Sequence, residues 1–140
     1  MERIKLEFQT RAVRQFNYKV KASDINYGGH LDNARVLGIA HAARIFWLAE
    51  FGWSEMDVEG VSTIMADAAI QYLSEGFENN EILIEVGIGD ISASGFELYY
   101  RMNNTSTGKP LAIVKTGSVF FNYDQRKVRK APQAFRERFI

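Results

Sequence analysis

Phe16, Tyr18 and Val20 alternate with polar neighbours over residues 14–20, which is the two-residue period of a half-buried strand. The run Ser23-Asp24-Ile25-Asn26-Tyr27-Gly28-Gly29-His30-Leu31 follows, a loop punctuated by paired glycines. Asp32 is then a good N-cap for a helix that starts at Asn33 and runs to residue 50 or 51. Eighteen helical residues at 1.5 Å each make a rod of about 27 Å. Val36, Leu37, Ile39, Ala40, Ala43, Ile45, Phe46, Trp47, Leu48 and Phe51 form more than one narrow stripe on it. A helix apolar on most sides is expected to be buried on most sides. Gly52 is placed to end it.

From about residue 62 the period changes to that of strands. Residues 69–73 read as a short strand. Ile82, Ile84, Val86 and Ile88 share one face of residues 81–91, and Phe96, Leu98, Tyr100 and Met102 alternate again. A turn cluster at residues 103–108 precedes a long strand over 111–123, and a basic tail ends in a short helix after Pro132. No repeat or linker interrupts the chain, so residues 1–140 read as one domain. The order is strand, buried helix, then about four antiparallel strands joined by hairpins, which makes an α+β domain. One long central helix wrapped by a curved antiparallel sheet of about five strands satisfies both patterns. That arrangement is the hotdog fold.

Composition narrows the chemistry. The 140 residues carry 17 basic and 17 acidic side chains, so the formal charge is zero. A neutral chain lacks the positive excess that nucleic-acid binding uses. With 46% hydrophobic residues it fills a core. It has no cysteine, which excludes disulfides, thiolate nucleophiles and Cys-based zinc sites. Its only histidines are His30 and His41, too few for a three-histidine metal centre. Residues 1–5 show no signal peptide, and no stretch reaches the roughly 18–20 apolar residues of a membrane span. A cytoplasmic protein is the expectation, and the Asn103 and Asn104 sequons then mean only a polar turn.

The segment from Asp24 to Leu37, continued to Ala43 and Arg44, resembles the 4-hydroxybenzoyl-CoA thioesterase-like branch of hotdog acyl-CoA thioesterases. The family pattern is roughly D-x-D-x-x-G-H-V-N-N-A-x-Y-L, with A-R farther along. Gly29, His30, Asn33, Ala34, Leu37, Ala43 and Arg44 match in register. Residues 70–73 with 79–82 resemble that family's tyrosine-bearing strand and following turn, and residues 119–124 its final strand. The resemblance spans roughly residues 14–133. It implies hydrolysis of an acyl-CoA or acyl-carrier-protein thioester, with no cofactor because coenzyme A is part of the substrate. It also implies a homo-oligomer, a dimer or a dimer of dimers, with sites at the subunit seam. Two positions depart from the pattern. Asn26 stands where the family carries its catalytic Asp, and His41 aligns with an acidic residue often found inside the helix.

Thioester hydrolysis needs a polarised carbonyl, an activated water and shelter from bulk solvent. A helix N-terminus supplies the first through free N–H groups and the positive dipole end. In the matched register the donor is the Asn33 amide. The candidate site residues are therefore Asp24, Asn26, His30, Asn33 and His41. Asn26 cannot ionise, so the candidate bases are Asp24, His30, Asp32 and His41, with Asp32 read first as the N-cap and an imidazole as the expected replacement for the missing acid. Each candidate also has a plainer reading. Asp24 orients the loop, His30 hydrogen-bonds it, and His41 is a buried histidine paired with a polar neighbour. Trp47, Trp53, Phe46 and Phe51 read as core, and the basic tail as a solvated face that could also meet CoA phosphates. Asp67, Glu75 and Glu78 read as surface carboxylates. Two alternatives to hydrolysis stand: an acyl-thioester-binding protein without turnover, suggested by Asn26 and His41, and an enoyl-CoA hydratase or dehydratase. The hydratase pattern D-x-N-P-x-H puts His five residues after Asp, whereas His30 lies six after Asp24 and Tyr27 replaces the proline.

Overall fold

The computed structural model describes residues 1–140. In chain order the elements are β1 (Arg11–Lys19), α1 (Asn33–Glu50), β2 (Ser62–Tyr72), β3 (Glu81–Ile91), β4 (Gly95–Asn104), β5 (Lys109–Asn122), β6 (Lys127–Val128) and α2 (Gln133–Arg138). The strands form one six-stranded sheet, ordered β1-β3-β4-β5-β2, with the two-residue β6 beside β5. Every pairing is antiparallel.

The alternation in β3 and β4 does what its period requires. Ile82, Ile84, Val86 and Ile88, with Leu98, Tyr100 and Met102, are all buried on one face. Against that face α1 packs Val36, Ile39, Ala40, Ala43 and Trp47, spaced at three and four residues. Trp47 also donates its ring N–H to the Ala12 carbonyl at 3.1 Å, tying α1 to β1. Phe135 of α2 and Phe139, just after it, close the far end, in contact with the rings of Trp47, Phe51, Trp53 and Phe96. Gly52, at φ +80°, follows the last helical turn in the left-handed conformation that a side chain disfavours.

The structure departs from the sequence pattern at three places. The short strand expected at residues 69–73 is the end of an eleven-residue strand that starts at Ser62. A bulge between Met65 and Asp67 shifts the phase of β2, so no single two-residue period runs through it. A second bulge, between Arg11 and Arg14, hides the start of β1 in the same way. Finally, α1 is not buried on most sides. Ile45 and Phe46 are exposed, and Phe46 stacks on Phe16 at 5.7 Å instead of entering the core. One sheet covers one side of a helix, so the apolar girth exceeds what a single copy buries.

Candidate active site

The loop between β1 and α1 closes on itself. Ile25 and Leu31 form a bridge, and the Asn26 N–H donates to the His30 carbonyl at 3.0 Å. Asp24 is fully buried beneath it. Its carboxylate accepts from the Tyr18 hydroxyl at 2.5 Å, the Lys21 amide at 2.9 Å and Arg35 Nε at 3.0 Å. Burial alone would raise the Asp24 pKa. Those three donors outweigh it and hold the carboxyl below its ordinary value. Asp24 thus joins β1, the loop and α1, with both oxygens occupied by the protein itself.

Asn26 accepts the Gly28 N–H on its side-chain oxygen at 2.9 Å, an Asx turn. A side chain at position 28 would press its Cβ within 3.2 Å of that oxygen and 3.4 Å of the His30 ring, so Gly28 makes room for both. His30 Nδ1 lies 2.9 Å from the Leu31 carbonyl. A carbonyl only accepts, so Nδ1 carries the proton and Nε2 keeps its lone pair. Asp32 accepts the Ala34 N–H at 3.0 Å and caps α1 as its residue type predicts. The Asn33 N–H, the first of the helix, has no acceptor within the chain.

His30, Asn33 and Val36 line a cleft of about 260 Å³ with Tyr72, Ser74 and Glu75. Tyr72 reaches from β2 and donates its hydroxyl to the Asn33 carbonyl at 2.9 Å. Burial, helped by the Asp32 carboxylate, raises the Tyr72 pKa, so the hydroxyl stays a donor at neutral pH. The cleft thus joins a free amide at a helix N-terminus to an imidazole.

His41 lies elsewhere. It borders a second cleft, of about 250 Å³, with Ala34, Leu37, Gly38, Arg44 and Met65. It is not the buried histidine of its plainer reading, since half of its side chain is exposed. It does have a polar partner, because its Nε2 stands 3.3 Å from Glu55 Oε2. The other oxygen of Glu55 accepts from Arg44 Nε at 2.9 Å. Arg44 is buried and donates on to the Tyr100 hydroxyl at 3.2 Å, which meets Thr116 at 2.7 Å. Burial opposes the charge on Arg44, but Tyr100 and Glu55 outweigh it and raise its pKa. Glu55 was not among the sequence candidates. A charged residue on the inner face of α1 was the available signal, because a buried guanidinium calls for a carboxylate partner.

No group of three or more His, Cys, Asp or Glu side chains is arranged to hold a metal ion. No helix is long and apolar enough to cross a membrane.

The sequence pattern of the thioesterase-like superfamily matches residues 20–139, and the chain belongs to that superfamily. Its fold is the hotdog fold of solved thioesterase structures. A 1,4-dihydroxy-2-naphthoyl-CoA thioesterase from Synechocystis superposes with a TM-score of 0.80 at 20% identity, over 89% of this chain and 93% of its own. A protein from Bartonella henselae described as a probable thioesterase gives 0.77 at 20% identity, over 86% and 100%. A DHNA-CoA thioesterase from Staphylococcus aureus gives 0.80 at 15% identity, over 89% and 85%. Among curated proteins nothing matches the chain.

Proposed function

We propose that the protein hydrolyses an acyl-CoA or acyl-carrier-protein thioester, holding the carbonyl oxygen on the Asn33 N–H while a histidine imidazole takes a proton from the attacking water. The observation that carries this reading is the free Asn33 N–H in a cleft at the mouth of α1. A donor fixed at a helix N-terminus stabilises the oxyanion of the tetrahedral intermediate without having to reorganise. Collapse of that intermediate breaks the C–S bond, and the sulfur leaves with the electron pair as thiolate. Coenzyme A enters as part of the substrate, and no further cofactor is required. Superfamily membership supports the reaction class.

The reading includes a homodimer, and a dimer of dimers is compatible with it. Strand β2 pairs with no strand but β5, so beyond Thr63, whose N–H goes to the Glu55 carbonyl, its other edge is open. Ile64 and Met65 on β2 are exposed, as are Ile45 and Phe46 on α1. A second copy adding its own β2 to this edge satisfies the backbone and covers these side chains.

The decisive test is thiol release across short, long and aromatic acyl-CoAs, with wild type and Asn33→Pro. Proline is well tolerated at the first position of a helix, where it removes only the N–H. Asp32, at φ −64° and ψ 130°, already has the conformation that a following proline demands. The variant is expected to fold and to lose about 10²–10³ in kcat. Wild type that releases thiol from none of the substrates, or an Asn33→Pro protein as active as wild type, refutes the reading.

A further inference from the structure

Residues 1–10 belong to no strand, yet residues 6–10 cross the outer face of the sheet, the face turned away from α1. Thr10 lies over β3 at Gly87, where a Cβ would come within 2.6 Å of the Thr10 Cβ. Phe8 lies over β4, with the Arg101 guanidinium 4.4 Å from its ring centre. The Leu6 N–H donates to the Gln71 side-chain oxygen on β2 at 3.0 Å. Arg101, Ile113 and Gln71 are paired in one row across β4, β5 and β2, so the segment runs along that row, across the strands. Its exposure alternates accordingly: Leu6, Phe8 and Thr10 are half-buried, whereas Lys5, Glu7 and Gln9 are exposed. Leu6 stands at the edge strand, and residues 1–5 beyond it are all exposed. Ile4, the next in phase to face a sheet, is 56% exposed.

We propose that residues 1–5 cross the subunit seam and clamp the outer sheet face of a second copy, with Ile4 seated on that copy's Ile64 and Val119. This rests on the homodimer reading above. The length of free edge sets the register. Thr63 already gives its N–H to the Glu55 carbonyl, so the open stretch of β2 is residues 64–72 and its middle is residue 68. A two-fold axis through that point, normal to the sheet, pairs the edges antiparallel and keeps both outer faces on one side. Gln71 of one copy then comes opposite Met65 of the other, next to Ile64. Val119 lies between buried Ser118 and Phe120, so it and its partner Ile64 stand on the outer face. Five extended residues at about 3.3 Å each reach roughly 16 Å, past the roughly 10 Å that separates β2 of one copy from β5 of the other.

Charge agrees with this placement. Arg3 and Lys5 outweigh Glu2 in the clamp. The landing place borders a cleft of about 280 Å³ lined by Asp67, Asp90, Glu97, Gly117 and Val119. Glu97 is engaged by Lys115 at 2.6 Å, whereas Asp67 and Asp90 have no cationic partner within the chain. The Asp67 carboxylate lies on Gly117, which has no room for a Cβ beneath it. Asp67 stands on β2 itself, where a long Lys or Arg side chain arriving over the seam meets it.

The first test uses the absence of cysteine, which lets a disulfide report the contact without background. In Ile4→Cys/Ile64→Cys, mild oxidation is expected to give a covalent dimer as the main species on a non-reducing gel. Within one chain the pair is out of reach, because Gln71, where the segment leaves the sheet, is about 20 Å along β2 from Ile64. Ile4→Cys alone is expected to give no covalent dimer. Equal cross-linking by that single variant, or no interchain disulfide in a double variant that light scattering shows to be a dimer, overturns the clamp. A wild type that scatters only as a 15.9 kDa species at micromolar concentration overturns the homodimer reading as well, so the two failures are told apart.

The second test reads the strength of the contact. Ile4 is exposed within its own chain, so Ile4→Asp is expected to leave the circular dichroism spectrum unchanged. It removes the apolar contact and adds a negative charge beside Asp67 of the other copy. The dimer dissociation constant, measured by sedimentation over a dilution series, is expected to rise about tenfold or more. A constant within about twofold of wild type overturns the proposal.

Discussion

His30 and His41 lie eleven residues apart on one segment, yet their surroundings differ in kind. His30 is held by its neighbours in sequence: its ring meets the Leu31 carbonyl, and the loop around it is closed by Asn26 and Gly29. His41 is held by side chains from distant parts of the chain, Glu55 directly and Arg44, Tyr100 and Thr116 behind it. A single backbone hydrogen bond orients a ring but leaves its charge without a partner. A carboxylate both orients the ring and stabilises the imidazolium formed when it takes a proton. Under the proposed hydrolysis the mouth of α1 holds the carbonyl, and His41, the ring with a carboxylate beside it, is the expected base.

The sharpest way to break this comparison is to remove each ring in turn. His41→Ala is expected to lower kcat by about 10²–10⁴, the usual cost of losing a general base. His30→Ala gives up one neutral hydrogen bond, worth about 1 kcal/mol, and is expected to cost less than about tenfold. Steady-state thiol release on both variants, with folding checked by circular dichroism, gives the order. If His30→Ala falls further than His41→Ala, the base belongs at the mouth and the comparison reverses.

How much of this could be read from sequence follows the same division. The loop and helix start were legible because their contacts are local. Asp32 caps two residues on, and Asn26 accepts from Gly28, so residue type and spacing carry the geometry. The buried strands β3 and β4 were legible because nothing interrupts their alternation through residue 88. Long-range contacts leave no such trace. Glu55 reaches Arg44 across eleven residues and a change of element, in a turn that has no periodic pattern. The bulges in β1 and β2 erased alternation where the chain is in fact extended. Phe46 was misplaced for a related reason, since an apolar residue type does not say whether the fold covers it.

A smaller effect should separate architecture from chemistry within the loop. Asp24 is buried and donor-saturated, so Asp24→Asn is expected to act mainly on stability, by about 2 kcal/mol at neutral pH. The sign of its pH dependence follows from its lowered pKa. In the unfolded chain the carboxyl titrates near 3.8, and in the folded one it titrates lower. Its contribution is therefore complete above the unfolded value and fades as pH falls through the folded one. Urea midpoints of wild type and variant are expected to differ at pH 7 and to converge as pH falls below 3.8. A gap that widens in acid would show that the carboxyl is not held ionised by Tyr18, Lys21 and Arg35.

The smallest effect is expected at Asn26, and it probes the comparison from the side of the mouth. Asn26→Asp restores the acid that the resemblance places there and preserves local geometry, because a carboxylate accepts the Gly28 N–H as well as a carboxamide does. If proton transfer belongs to His41, the added carboxylate stands at the carbonyl-holding end, where no base is missing. Its charge near the developing oxyanion is weakly unfavourable, so kcat/KM is expected to change by less than about threefold, on the low side. A gain of tenfold or more would mean that a carboxylate at the mouth outperforms the His41 imidazole. In that case Asn26, rather than His41, marks where this chain parted from its relatives, and the native protein would be better described as a binder of acyl thioesters than as an efficient hydrolase.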